Sequence, residues 1–412
     1  MTNVIFNIGE LATAKGKAPL SGKAQGDVSI LHDAWVLTDG KLIAEIGQGA
    51  IPKADSATDA GGRLVTAGLV DSHTHLVFGG WREHELAQKL AGASYLEILA
   101  SGGGILSTVN ATRAMTEDEL YGKSEELMLE MMSCGSTAFE MKSGYGLDLE
   151  TELRQLRVIK RLKGLNPDIA ATYLGAHAVP PEFKGRREAY VDYMVNVVLP
   201  EVAKAALAEY CDVFCETGVF TAKDSERILL AAQRLGMGLK IHSDEIDEIG
   251  GTALAGKLHA ASAEHLAVTG AEGVSALKAG GVIACLLPAT SFYLGKGYAN
   301  GRAMIGGGVP VAIASDFNPG STPNSSLQFA MHAGCYRMRL TPKETLTAVT
   351  LNAACCMGKG ETLGSIEAGK NADLVVWDAP NLDHLMYRYG TNRVQTVVKA
   401  GKIIYNKERI NV

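Results

Sequence analysis

Residues 64–75 read Leu64-Val-Thr-Ala-Gly-Leu-Val-Asp-Ser-His-Thr-His75, an apolar run that ends in two histidines one residue apart. Strand side chains alternate between faces, so His73 and His75 project the same way with their bases roughly 7 Å apart, near enough to hold one ion. The stretch predicts a strand whose end carries part of a metal site.

Working outward, apolar strand-like runs alternate with helix-like ones, the pattern of parallel βα units. Eight strands are expected, at 68–75, 136–141, 169–176, 210–216, 238–243, 261–266, 282–288 and 309–316. Between them lie helical segments such as 117–133, 149–162, 189–209 and 223–235. Eight such units predict an α/β fold of the (β/α)8 TIM-barrel type, with its chemistry at the carboxy-terminal strand ends. Both ends of the chain are β-rich, and Asp39-Gly40 between two alternating runs is a hairpin signal. The expected organisation is a barrel over 63–363 and a small, sandwich-like β domain built from 1–62 and 364–412.

The barrel reading places His73 and His75 at the end of strand 1, His177 at strand 3, His242 at strand 5, His265 at strand 6 and Asp316 at strand 8. Five of the ten histidines in the chain thus fall on one rim, a clustering that scattered surface histidines would not give. Closure sets strand 8 beside strand 1, bringing Asp316 to the His73–His75 pair, with His242 facing them from the opposite wall. A His3Asp set with an open position suits one divalent or trivalent ion per chain, zinc or iron, and such an ion lowers the pKa of a bound water toward about 7. Glu245, three residues past His242, is placed to take and return a proton, while Asp244, Asp247 and Glu248 read as solvated loop carboxylates or first-turn helix residues. His265 is expected beside the attacking water, or as a histidine one layer out.

Composition narrows the partners. A formal charge of −6 provides no basic field for nucleic acid or anionic lipid, and no apolar run reaches 18 residues. Seven cysteines lack CxxC spacing and read as buried small residues of a reducing compartment. With no export-like amino terminus, a cytoplasmic enzyme of small molecules is expected.

Several motifs together resemble the amidohydrolase superfamily, and within it the imidazolonepropionase family of histidine degradation. Asp59-Ala-Gly-Gly-Arg-Leu-Val-Thr-Ala-Gly-Leu-Val-Asp-Ser-His-Thr-His75 and Gly364-Ser-Ile-Glu-Ala-Gly-Lys-Asn-Ala-Asp-Leu-Val-Val376 are similar to superfamily motifs. Phe78-Gly-Gly-Trp-Arg-Glu83, Gly102-Gly-Gly-Ile105, Glu140-Met-Lys-Ser-Gly-Tyr-Gly146, Leu174-Gly-Ala-His177, His242-Ser-Asp-Glu245 and Ser315-Asp-Phe-Asn-Pro-Gly-Ser321 are similar to the narrower family's own signatures. The resemblance implies metal ligation by His73, His75, His242 and Asp316; for the reaction, Glu245 is expected as general base then acid, with Asp316 and His265 orienting the water. It implies substrate contacts at Arg82, Tyr95, Tyr145, His177, Glu245, Asn318, Gly320 and Ser321, and hydrolytic opening of 4-imidazolone-5-propanoate to N-formimidoyl-L-glutamate. A homodimer is a superfamily-level expectation.

That substrate is a small anionic heterocycle, and Arg82 is the cation that would meet its tail. Pairing with Glu83 or Glu85 is the bland alternative for Arg82, as loop packing is for Tyr145 and core packing for Tyr95. The rival activity is a mononuclear aminohydrolase of a purine, pyrimidine or triazine ring, which would share the metal set and need no anion site. Strand 4 carries no lysine to bridge two metals, although Glu216 at its end is a carboxylate a second ion could use.

Overall fold

A computed structural model describes residues 1–92 and 103–407. Four strands open the chain: β1 Thr2–Thr13, β2 Ser29–Asp39, β3 Leu42–Gln48 and β4 Ser56–Ala67. The eight expected barrel strands follow as β5 Leu69–Thr74, β6 Ser136–Lys142, β7 Ile169–Ala176, β8 Tyr210–Cys215, β9 Gly238–Ser243, β10 Ser262–His265, β11 Ile283–Leu286 and β12 Val311–Ile313. Three more, β13 Leu374–Trp377, β14 Val394–Lys399 and β15 Lys402–Asn406, end the described chain.

The terminal strands form one seven-stranded sheet in the order β15-β14-β13-β4-β1-β2-β3. β1 runs parallel to β4 and antiparallel to β2, with a register break between Ile5 and Ile8 where Asn7 takes φ +53°. Such a bulge bends the pair, and Ile5, Ile8, Val36, Val65 and Leu374 pack beneath it, buried. The expected hairpin is present, with Gly40 at φ +55° in the turn between β2 and β3. β4 belongs to this sheet as far as Ala67 and, after Gly68 alone, becomes the first barrel strand, so residues 63–67 lie in the terminal sheet.

The barrel strands pair in parallel from β5 to β12 in chain order. A parallel bridge between Thr74 and Phe317 joins the two ends. Helices cover the outside. Glu117–Ser133 starts at a Thr116–Glu119 capping box and Leu149–Leu162 at Asp148, whose carboxylate accepts the Thr151 N–H. The helix expected over 189–209 is instead Arg187–Tyr193, a wider turn at Met194–Val198 and a last stretch Leu199–Lys204. Pro200 explains the break, because its ring cannot fit the regular bonding to the preceding turn. Among the described residues no helix is long and apolar enough to cross a membrane.

Sheet and barrel are tied at the face opposite the strand-end histidines. Lys399 of β14 meets Asp168, just before β7, and Asp373 at 2.6 Å, with its side chain 8% exposed. Removing one member of a buried ion group leaves the others uncompensated. Lys399→Met should therefore lower unfolding free energy by about 3–5 kcal/mol in chemical denaturation, with the metal content of purified protein unchanged.

Candidate active site

His73 and His75, at the end of β5 and one residue past it, are 0% and 2% exposed. Their Nε2 atoms stand 3.3 Å apart, and that of His242, from β9, is 3.4 Å from that of His75. Asp316 Oδ1 lies 3.5 Å from His73 Nε2 and 3.4 Å from His75 Nε2. Donor atoms about 2.0–2.1 Å from a tetrahedral ion are themselves separated by about 3.3–3.4 Å, so the cluster has the size of one such site. Among the described residues, these three histidines are the group whose ligating atoms converge in this way.

Hydrogen-bond partners outside the cluster fix its orientation. His73 Nδ1 is 2.5 Å from Glu264 Oε2, which turns Nε2 inward. His242 Nδ1 is 2.9 Å from Asp212 Oδ2, with the ring turned off the line of a straight hydrogen bond. Thr290 donates to Asp316 Oδ2 at 2.6 Å, leaving Oδ1 toward the imidazoles. His75 differs, since its buried Nδ1 has neither a hydrogen-bond partner nor, among the described residues, a carboxylate beside it. Asp316 has φ +54° and His265 φ +70°, a conformation non-glycine residues seldom take outside sites that need it.

The electrostatics ask for a cation. Burial and Lys142 push the His73 imidazole down, yet Glu264 and Asp316 together lift it to about 9. Burial takes His75 down to about 4 against the pull of Asp316. Burial alone would raise Asp316, but hydrogen bonds from His73 and His75 hold it well below the usual carboxylate range.

Other expected residues ring this cluster. Glu245, its side chain 20% exposed, has Oε2 3.7 Å from His265 Nε2. Burial, aided by the charges of Asp316 and Glu216, raises its carboxyl. Burial also lowers His265, partly offset by Glu245. His177 stacks on His75 with ring centres 4.9 Å apart, and its Nδ1 meets the Gly144 carbonyl at 3.1 Å. Gly144 has φ +106°, and a Cβ there would lie 2.8 Å from the Leu174 carbonyl oxygen, so this close approach requires glycine. Tyr145 is buried beside His75 and His177. Its loop is held by Glu152, which accepts the N–H groups of Gly144, Gly146 and Leu147.

Arg82 has no acidic partner among the described residues, and its Nε is buried without a hydrogen bond. Glu85 turns instead to Lys89 at 3.3 Å and to the Gly104 N–H. The guanidinium lies on Gly320, where an added Cβ would fall 0.9 Å from Nη2. Asn318 spends its amide on its own loop, accepting from Gly320 N and Ser321 N and donating to the Asp316 carbonyl. Trp81 packs on Phe78 and Phe317. Tyr95 and Gly102 lie outside the described residues.

Two carboxylates differ from expectation. Asp244 is fully buried with φ +53° and accepts hydrogen bonds from Thr252 and Thr269, where a solvated loop residue was expected. Glu216 uses both oxygens on the N–H groups of Thr217, Ile246 and Asp247, which makes it a loop anchor. Sequence reading missed Glu264, Asp212, Glu140, Lys142 and Lys240, all fully buried. A signal was present: Lys240 stands two residues before His242, on the same inward face of an otherwise apolar strand. A cleft of about 1050 Å³ lined by Val179, Lys184, Val219 and Arg227 includes none of the clustered side chains.

Residues 64–404 match the Amidohydrolase family, and the chain belongs to that family. An imidazolonepropionase from Treponema denticola is 50% identical over 383 residues, covering 91% of this chain and 93% of that protein. Those from Alkaliphilus metalliredigens and Bacillus velezensis are 46% and 48% identical, each covering at least 97% of both chains. Within the amidohydrolases, this chain is a member of the imidazolonepropionase family. A 5-methylcytosine deaminase from Klebsiella pneumoniae superposes with TM-score 0.73 at 17% identity, covering 98% of this chain and 99% of that one. An adenosine deaminase from Xanthomonas campestris with bound zinc gives 0.68 at 18%, covering 98% and 93%. These two show the shared fold.

Zinc titrated into metal-free protein should saturate at one ion per chain and raise Tm, because a ligand that binds only the folded state stabilises it. Asp316→Ala should weaken that shift, and saturation at two ions would contradict a single site.

Proposed function

We propose that the chain adds water across the cyclic amide of 4-imidazolone-5-propanoate, giving N-formimidoyl-L-glutamate in histidine degradation. The observation that carries this reading is the pairing, on one rim, of a four-donor metal set with Arg82, a cation without an acidic partner among the described residues. The 46–50% identity to imidazolonepropionases supports the same choice. His73, His75, His242 and Asp316 would hold one zinc or iron ion. When bound, such an ion polarises a carbonyl and brings the pKa of a water toward about 7.

The remaining steps belong to side chains. Arg82 grips the propionate, with the Tyr145 hydroxyl beside it and Gly320 giving the guanidinium a flat floor. His177 is kept neutral mainly by burial, and with its Nδ1 proton on the Gly144 carbonyl it presents Nε2 as an acceptor for a ring N–H. Asn318 and Ser321 shape the loop under the substrate. Asp316 and His265 orient the attacking water, and His265 also steadies the Glu245 carboxylate. Glu245 takes a proton from that water as the carbon–oxygen bond forms. It passes the proton to the ring nitrogen as the carbon–nitrogen bond breaks, and so ends ionised as it began.

Metal-loaded protein should consume imidazolonepropionate in an ultraviolet assay and release no ammonia from cytosine or guanine; the reverse result would replace this reading with an aminohydrolase. Glu245→Gln should cut kcat by about 10²–10⁴-fold while metal content stays at the wild-type value. As a base, Glu245 works only when ionised, so kcat/KM should fall as pH drops through its raised pKa. That limb should lie above the roughly 4.3 of an exposed glutamate and vanish in the variant. Arg82→Met should raise KM about ten- to a hundredfold, the equivalent of a charge-assisted bond of about 1.5–3 kcal/mol. Gly320→Ala should do the same by displacing Arg82, and an unchanged KM in both would remove the anion site.

A further inference from the structure

Beneath the imidazoles, the barrel interior holds five charged side chains with no solvent exposure: Glu140, Lys142, Asp212, Lys240 and Glu264. They form one continuous chain of ion pairs. Asp212 Oδ2 meets Lys142 Nζ at 2.8 Å, and the same Nζ meets Glu140 Oε1 at 2.8 Å. Glu140 Oε2 meets Lys240 Nζ at 3.0 Å, and Lys240 lies 3.8 Å from Glu264 Oε1. Each end of the chain touches a different imidazole, Asp212 on His242 and Glu264 on His73. Glu140 is the midpoint and contacts neither histidine. Thr172 donates a hydrogen bond to its Oε1.

We infer that Glu140 is a positioning residue that couples His73 to His242 through the two lysines, so that both rings are set together. The inference rests on the metal reading above. With all five side chains fully buried, neither lysine can move without uncovering a charge, so a shift at one carboxylate is passed to the other. Partners that orient a ligating imidazole typically govern affinity by about 10- to 100-fold, and Glu140 would do so from one step further away. His75, whose Nδ1 meets none of these five side chains, stands outside this coupling.

The test measures zinc affinity by competition with a chromophoric chelator and the visible spectrum of the cobalt-loaded protein. Glu140→Gln keeps the shape and removes the charge. It should weaken zinc about 10-fold or more and shift the cobalt bands, which a loss of stability alone would not do. Asp212→Asn and Glu264→Gln should be non-additive in zinc affinity in the wild-type background and additive when Glu140→Gln is present. If Glu140→Gln fails to fold, Thr172→Val, which removes only the hydrogen bond to Glu140, should still shift the cobalt bands and weaken zinc several-fold. Wild-type zinc affinity and unshifted bands in the folded variants, or additivity throughout, would overturn the coupling. Wild-type protein that binds no zinc or cobalt would instead overturn the metal reading itself.

Discussion

Everything at the proposed catalytic rim depends on the closure of β12 onto β5. The Asp316 N–H donates to the His73 carbonyl at 3.1 Å, and the His75 N–H donates to the Phe317 carbonyl at 2.9 Å. Asp71 adds a side-chain clasp by accepting the Ser315 N–H. These bonds join residues more than 240 positions apart and set the carboxylate of one strand between the imidazoles of the other. Closure also explains why Asp316 tolerates a positive φ: both of its flanks are pinned, so the surrounding bonds over-determine a conformation it would not otherwise hold.

The second constraint is the charged barrel interior. Barrels of this type are commonly filled with branched apolar side chains, but here β6, β9 and β10 turn Glu140, Lys142, Lys240 and Glu264 inward. Such burial is tolerable only because each charge has a partner. Two lysines against three carboxylates, counting Asp212, leave one formal negative charge below the histidines, to which Asp316 adds another above. That imbalance favours a cation in the plane of the imidazoles, and it matches the upward shift of His73.

The barrel was legible because its signals are local. Apolar runs alternating with helix-like ones place all eight strands to within a few residues, and strand closure alone brings His73, His75, His242 and Asp316 to one rim. The terminal sheet was less so, since β1 bulges at Asn7 and loses the clean alternation that marks a strand. The interior ion chain left one signal, Lys240 two residues before His242 on the same inward face. Glu140 and Lys142 interrupt an apolar strand, and their partners lie 70 to 100 residues away in Asp212 and Lys240. Asp244 was misread for a related reason: an acid next to a loop glutamate suggests solvent, and only the fold reveals Thr252 and Thr269 closing over it.

The fold alone leaves the substrate open, because a 5-methylcytosine deaminase and an adenosine deaminase superpose on this chain over nearly its whole length. On the proposed reading, discrimination comes from groups that add nothing to the fold. Arg82 gains no ion pair among the described residues, and its guanidinium occupies the space that any side chain at position 320 would fill. Keeping a partly buried cation without a counter-charge is costly, and a neutral ring would leave that cost standing. In the proposed reaction an anionic tail would remove it on binding, so the cation that weakens the free protein would be the source of selectivity in the complex.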